Sequence, residues 1–145
     1  MTTPDHFRAL ERMYLAAPIN KIFQPRISIS LESATIEIDI SEKFFHAANA
    51  VHGSVYFKML DDAAFFAANS IETNVFVLTT AFTTYLTKPI SNGQMKSIGK
   101  IVNKNNTQII AESVVYNSNG TEIGRGNGIF VFSKILLRSA LGYSE

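Results

Sequence analysis

Residues 52 to 70 carry apolar side chains that no single helix face accounts for. Val55, Phe57, Met59, Leu60, Ala64, Phe65 and Ala68 fall nearly all the way round a helix, in a stretch with no Pro and with its one Gly at the start. A helix apolar on every side is enclosed by protein or by lipid. Lys58, Asp61 and Asp62 interrupt the run, which falls short of the roughly 20 apolar residues of a membrane span. The pattern therefore predicts a helix over about 52–70 that the rest of the protein wraps. Two carboxylates in the middle of it are the anomaly.

Upstream, residues 4–17 read as an amphipathic helix. Thr3 can cap it, Pro4 suits the first helical position, and Phe7, Leu10, Tyr14 and Leu15 share one side before Pro18 stops it. A connection from Asn20 to Pro25 leads to two β segments. In the first Ile27, Ile29 and Leu31 alternate with polar residues; in the second Ile36, Ile38 and Ile40 alternate with Thr35, Glu37 and Asp39. Glu32-Ser33 is the predicted turn between them. A loop from Ser41 to Val51 carries Phe44, Phe45, His46 and Asn49 up to the central helix.

Four further β segments follow, at about 75–88, 94–103, 107–117 and 121–132. Their connections are Ser91-Asn92-Gly93, Asn103 to Asn106, and Ser118-Asn119-Gly120; Asn-Gly is a strong hairpin signal. Short turns in succession imply an antiparallel meander. Segment 75–88 is apolar or small on both faces, with Val75, Val77, Ala81 and Tyr85 on one and Phe76, Leu78, Phe82 and Leu86 on the other. Burial on two sides calls for another layer, most simply a second subunit. The tail after Ser133 is weakly patterned.

This order predicts one α+β domain over residues 1–145: a curved antiparallel sheet around a long helix, with an extra N-terminal helix. Composition narrows the function classes. With 13 basic and 12 acidic residues there is no broad basic field, so nucleic acid is not an expected partner. The absence of Cys excludes disulfides and thiol catalysis. Three His residues with no pair at ligand spacing predict no metal site. The N-terminus shows no basic start followed by an apolar run, so a cytoplasmic location and no membrane partner are expected. Gly124-Arg125-Gly126-Asn127-Gly128 sits in a strand context, where glycines signal close backbone approach rather than phosphate binding.

The segment His46-Ala-Ala-Asn49-Ala-Val-His52-Gly53-Ser54 together with Asp61 resembles the active-site signature of the PaaI-like acyl-CoA thioesterases, and the element order resembles their hotdog fold. That family reads Asn-x-x-Gly-x-x-His-Gly-Gly, with Asp or Glu eight residues after the first Gly of the pair. Here His52-Gly53 matches and Asp61 stands eight positions beyond Gly53. The family also has a Ser or Thr ten residues before a strand-closing Pro; ten before Pro89 is Thr79. The resemblance spans roughly residues 30–133. Three positions depart from it: His46 for the usual Asn or Gln, Asn49 for the loop Gly, and Ser54 for the second Gly. Asn tolerates a left-handed backbone, and Ser54 should narrow the space beside a thioester.

Thioester hydrolysis needs a carboxylate near water or the carbonyl carbon, and N–H donors where the oxyanion develops. Gly53, in the first helical turn, has an N–H with no helical partner at the positive end of the helix dipole. Asp61 and Asp62 point about 100° apart on a helix and cannot share one site. Lys58 is at pairing distance from either by spacing; the family register selects Asp61 as general base or nucleophile. Its pKa should be raised in an apolar setting unless hydrogen bonds offset the desolvation. The resemblance gives Thr79 the attacking water or Asp61 as its partner. It leaves His52 to orient the loop or to react, and His46 to polarise the carbonyl or act as a second base. Lys88, Lys104 and Arg125 are candidates for the phosphates of coenzyme A, which enters as part of the substrate; no separate cofactor is implied. The expected activity is acyl- or aryl-CoA hydrolysis in a homodimer or tetramer. A hotdog hydratase or dehydratase and a non-catalytic acyl-CoA-binding module are the alternatives.

Overall fold

The central helix forms where the apolar run lies: α3 spans Gly53–Asn69 in the computed structural model, which describes residues 2–144. Preceding it are α1 (Thr3–Ala16), a single turn α2 (Asn20–Phe23), β1 (Arg26–Ser30) and β2 (Ser33–Asp39). Following it are β3 (Val75–Leu86), β4 (Gln94–Lys104), β5 (Gln108–Tyr116) and β6 (Glu122–Leu136). The six strands form one antiparallel sheet in the order β1-β2-β4-β5-β6-β3. The sheet packs its apolar face on α3, so Met59, Leu60, Ala63, Ala64, Ala67 and Ala68 are buried against Ile36, Ile38, Met95, Ile109, Ala111 and Phe130. Each large side chain among them contributes about 1.5–3 kcal/mol by leaving water. No helix among the described residues is long and apolar enough to cross a membrane.

The helix comes unusually close to β4. A Cβ added at Gly99 would sit 2.2 Å from the Ala63 carbonyl oxygen, so only a residue without a side chain fits there. Gly99→Ala is expected to cost about 2 kcal/mol by forcing α3 off the sheet, read as a lowered midpoint in urea unfolding. On β6, Gly126 and Gly128 leave the room taken by the ring of Phe82, which the close-approach reading of those glycines anticipates.

Several boundaries differ from the sequence expectations. Thr2, not Thr3, caps α1, exchanging hydrogen bonds with Asp5 in a capping box, and Leu15 is half exposed. Residues 20–23 of the expected connection form the turn α2, closed by Gln24 at φ 49°. Leu31 leaves the strand for the turn, where Glu32 takes φ 62°. The tail after Ser133 is ordered: β6 continues to Leu136, and Leu137 and Tyr143 are buried. The meander fails at β3. That strand pairs with β6 at one edge, while β4 inserts between β2 and β5. Three strand spacings, roughly 14 Å, separate β3 from β4. The Thr87–Gly93 connection is long enough to cross that distance, whereas a hairpin turn is not.

The face assignment on β3 also fails, for a local reason. Register shifts lie between Val75 and Val77 and between Thr79 and Ala81. Each extra residue reverses which side chains face the helix, so period two does not hold along this strand. Nor is α3 enclosed on every side. Ser54 and Phe57 stay exposed and Asp61 half-buried, a stripe open beside the edge strand β3.

Candidate active site

Asp61 and Thr79 meet at that open stripe. The Thr79 hydroxyl donates to Asp61 Oδ1 at 2.8 Å. Two features set this distance. Asn69, fully buried at the end of α3, donates to the carbonyls of Glu72 and Val75 and accepts from Val77 N–H at 2.9 Å, fixing where β3 begins. The bulge immediately after Thr79 then ends the inward run of Val77 and Thr79. Burial raises the Asp61 carboxyl to about 6; the neighbouring Asp62 charge pushes the same way, while the Thr79 hydrogen bond and Lys58 oppose it. Thr79→Val removes the hydroxyl at nearly constant volume. It is expected to move the acid limb of the Asp61 titration to higher pH, by roughly half to one unit, in a carboxyl NMR titration.

Asp62 faces elsewhere. Its Oδ2 accepts from Lys58 Nζ at 2.5 Å and from the Tyr14 hydroxyl at 2.7 Å. Lys58 also donates to the Tyr14 oxygen at 3.2 Å and lies over the rings of Tyr14 and Phe23. Burial and the adjacent Asp62 charge raise the Tyr14 phenol strongly, so it stays protonated and donates. A cavity of about 340 Å³ opens over both carboxylates, walled by Met13, Ile19, Phe65, Phe66, Phe76 and Leu78.

Gly53 sits in a second cavity of about 380 Å³, with His46, Tyr56, Leu86, Lys88 and Pro89. The His52 ring caps α3, its Nδ1 accepting from Ser54 N–H at 3.0 Å and lying 2.8 Å from the Ser54 hydroxyl. His52 carbonyl takes the Val55 N–H. Gly53 N–H is left without an acceptor among the described residues, at the positive end of the helix. Leu86 reaches to within 3.1 Å of where a Gly53 Cβ would lie. Asn49 takes φ 63°, the left-handed conformation that the loop needs. His46 is exposed, its Nδ1 accepting from Ala48 N–H at 3.0 Å.

The sequence candidates thus divide into two groups. Asp61 and Thr79 share one cavity; Gly53, His46 and Lys88 line the other, with His52 and Ser54 exposed at the start of α3. Eight residues of helix, about 12 Å, separate Gly53 from Asp61. Lys104 and Arg125 join neither group. Lys104 pairs with Glu32 at 3.4 Å, and Arg125 forms a two-pronged pair with Glu122 at 2.6 and 2.7 Å. Tyr14 is the residue that sequence reading missed: it counted as one more apolar position of α1, and only its hydroxyl hinted at a polar partner. Among the described residues, no three His, Asp or Glu side chains are grouped to hold a metal ion.

No protein-family model matches the chain, and no curated protein matches it in sequence. Solved structures do. The E. coli PaaI protein from the phenylacetic acid degradation operon superposes with a TM-score of 0.84 over 94% of this chain and 99% of its own, at 14% identity. The chain has the hotdog fold. A Shewanella oneidensis protein related to the thioesterase superfamily matches this hotdog chain at TM-score 0.81 and 13% identity, over 90% of this chain and 97% of that one. A Haemophilus influenzae thioesterase matches it at 0.75 and 9%, over 83% and 85%. At such identities the likeness establishes the hotdog architecture, and chemistry has to be argued from the site.

Proposed function

We propose that the protein is an acyl-CoA thioesterase, hydrolysing an acyl- or aryl-CoA thioester to the free acid and coenzyme A. The observation that carries the reading is Asp61: a half-buried carboxylate held by Thr79 at the mouth of an apolar cavity, with its pKa lifted towards neutrality. Ionised Asp61 takes a proton from water as the water oxygen attacks the thioester carbon. The carbonyl electrons move onto oxygen, and Gly53 N–H hydrogen-bonds that oxyanion. Collapse of the intermediate breaks the C–S bond, and the thiolate leaves with the proton returned by Asp61. Direct attack by Asp61, through an anhydride that water then opens, uses the same groups. Thr79 holds Asp61 and offers its lone pairs to the water; His46 lies on the Gly53 side, where it can face the carbonyl.

Because Gly53 and Asp61 occupy separate cavities, the reading requires a homodimer in which Gly53 of the partner subunit faces Asp61 across the interface. The open outer edge of β3, flanked by exposed Phe57, Leu78 and Leu86, supports that arrangement. In it, Lys88 stands at the mouth that coenzyme A phosphates would enter. Thiol release measured over short, medium, long and aryl-CoA substrates tests the proposal. Turnover on at least one class supports it. Hydration of crotonyl-CoA without thiol release, or tight acyl-CoA binding without either reaction, replaces it with a hydratase or a binding module.

A further inference from the structure

The cluster around Asp62 has a geometry that a surface ion pair does not need. Lys58 and Asp62 are on α3, Tyr14 of α1 donates to Asp62, and the Phe23 ring of α2 lies under Lys58, so three elements converge on one ion pair. The Lys58 and Asp62 side chains keep only 13% and 20% of their surface exposed, so solvent screens them weakly. The acting carboxylate is the preceding residue, and the same cavity is lined by both. The negative charge at Asp62 opposes ionisation of Asp61, and the Lys58 charge paired with it works the other way.

We propose that Lys58 and Tyr14 are positioning residues for the site, holding Asp62 in a neutral cluster in which the Lys58 charge offsets that of Asp62 beside Asp61, with α1 a working part of the site through Tyr14. This inference rests on Asp61 as the acting carboxylate of the proposed thioesterase. The ionisable groups lining the cavity around Asp61 are Lys58 and Asp62 of α3 and Tyr14 of α1; β3 contributes the uncharged Thr79.

The test follows the sign of the charge removed. Lys58→Met, Asp62→Asn and the double variant are compared with wild type in two measurements: the pH dependence of thiol release, and the Asp61 carboxyl titration by 13C NMR. Lys58→Met should raise the Asp61 midpoint by about one pH unit, Asp62→Asn should lower it, and the double variant should return to within about half a unit of wild type. Lys58→Arg should restore the wild-type profile, which guards against misfolding of a single variant. A cluster that merely anchors α1 gives another result: lowered melting temperatures with the midpoint unmoved, or both single variants shifting it in the same direction. Either outcome overturns the inference. If no substrate releases thiol while the NMR midpoints move as stated, the thioesterase reading fails and the charge coupling stands.

Discussion

Asp61→Asn is expected to leave the protein folded and to lower turnover on a good acyl-CoA substrate by at least about a hundredfold, the scale of losing a positioned base or nucleophile. The substitution is nearly isosteric, and the amide oxygen of Asn can still accept the Thr79 hydroxyl, so the packing of β3 on α3 is retained. What disappears is the negative charge. Asp62→Asn is expected to cost far less, under about tenfold, because Asp62 is occupied by Lys58 and Tyr14. Thiol release by the two variants, each compared with wild type, checks the assignment. Equal activity of Asp61→Asn and wild type would remove Asp61 from the chemistry and the proposal with it.

The second large effect is on pH. With the Asp61 carboxyl near 6, turnover should be flat above that value and fall about tenfold per unit below it, roughly a hundredfold by pH 4. The same carboxyl opposes folding in the pH range where it works. Its native pKa lies above the ordinary value of about 3.9, so the native state holds the proton more tightly than the unfolded chain does. This preference stabilises the native state fully below about pH 4 and is lost as pH rises through about 6. The difference amounts to about 2 kcal/mol once partial exposure is allowed for. Asp61→Asn should therefore raise the urea midpoint at pH 7.5 relative to wild type and give no such gain at pH 4. An inactive variant more stable than its parent at neutral pH is the signature of a carboxylate kept buried for use.

Much of this was legible in the chain. The run from Val55 to Ala68 specified a helix by composition, and helical periodicity alone separates Asp61 from Asp62. Alternation placed β2, and turn signals bounded β4, β5 and β6 to within a few residues. The resemblance to the PaaI-like signature, matched at the spacings from Gly53 to Asp61 and from Thr79 to Pro89, implied the candidate residues. The Lys58–Asp62 pair was one of two that spacing permitted.

What the sequence by itself determined is what depends on near neighbours: the helices, the period of β2, the turn at Gly120, and which residue types are available for chemistry. Tertiary structure decided everything that depends on partners distant along the chain. It put β3 at the sheet edge beside β6, because the Thr87–Gly93 connection can span the intervening strands. It slipped the register at Thr79, since a bulge is set by the neighbouring strand. It brought Tyr14 across 48 positions of sequence to Asp62 and left Gly53 and Asp61 in different cavities. Local pattern carries no term for such encounters, because their free energy comes from surfaces that exist only once the sheet has closed on α3.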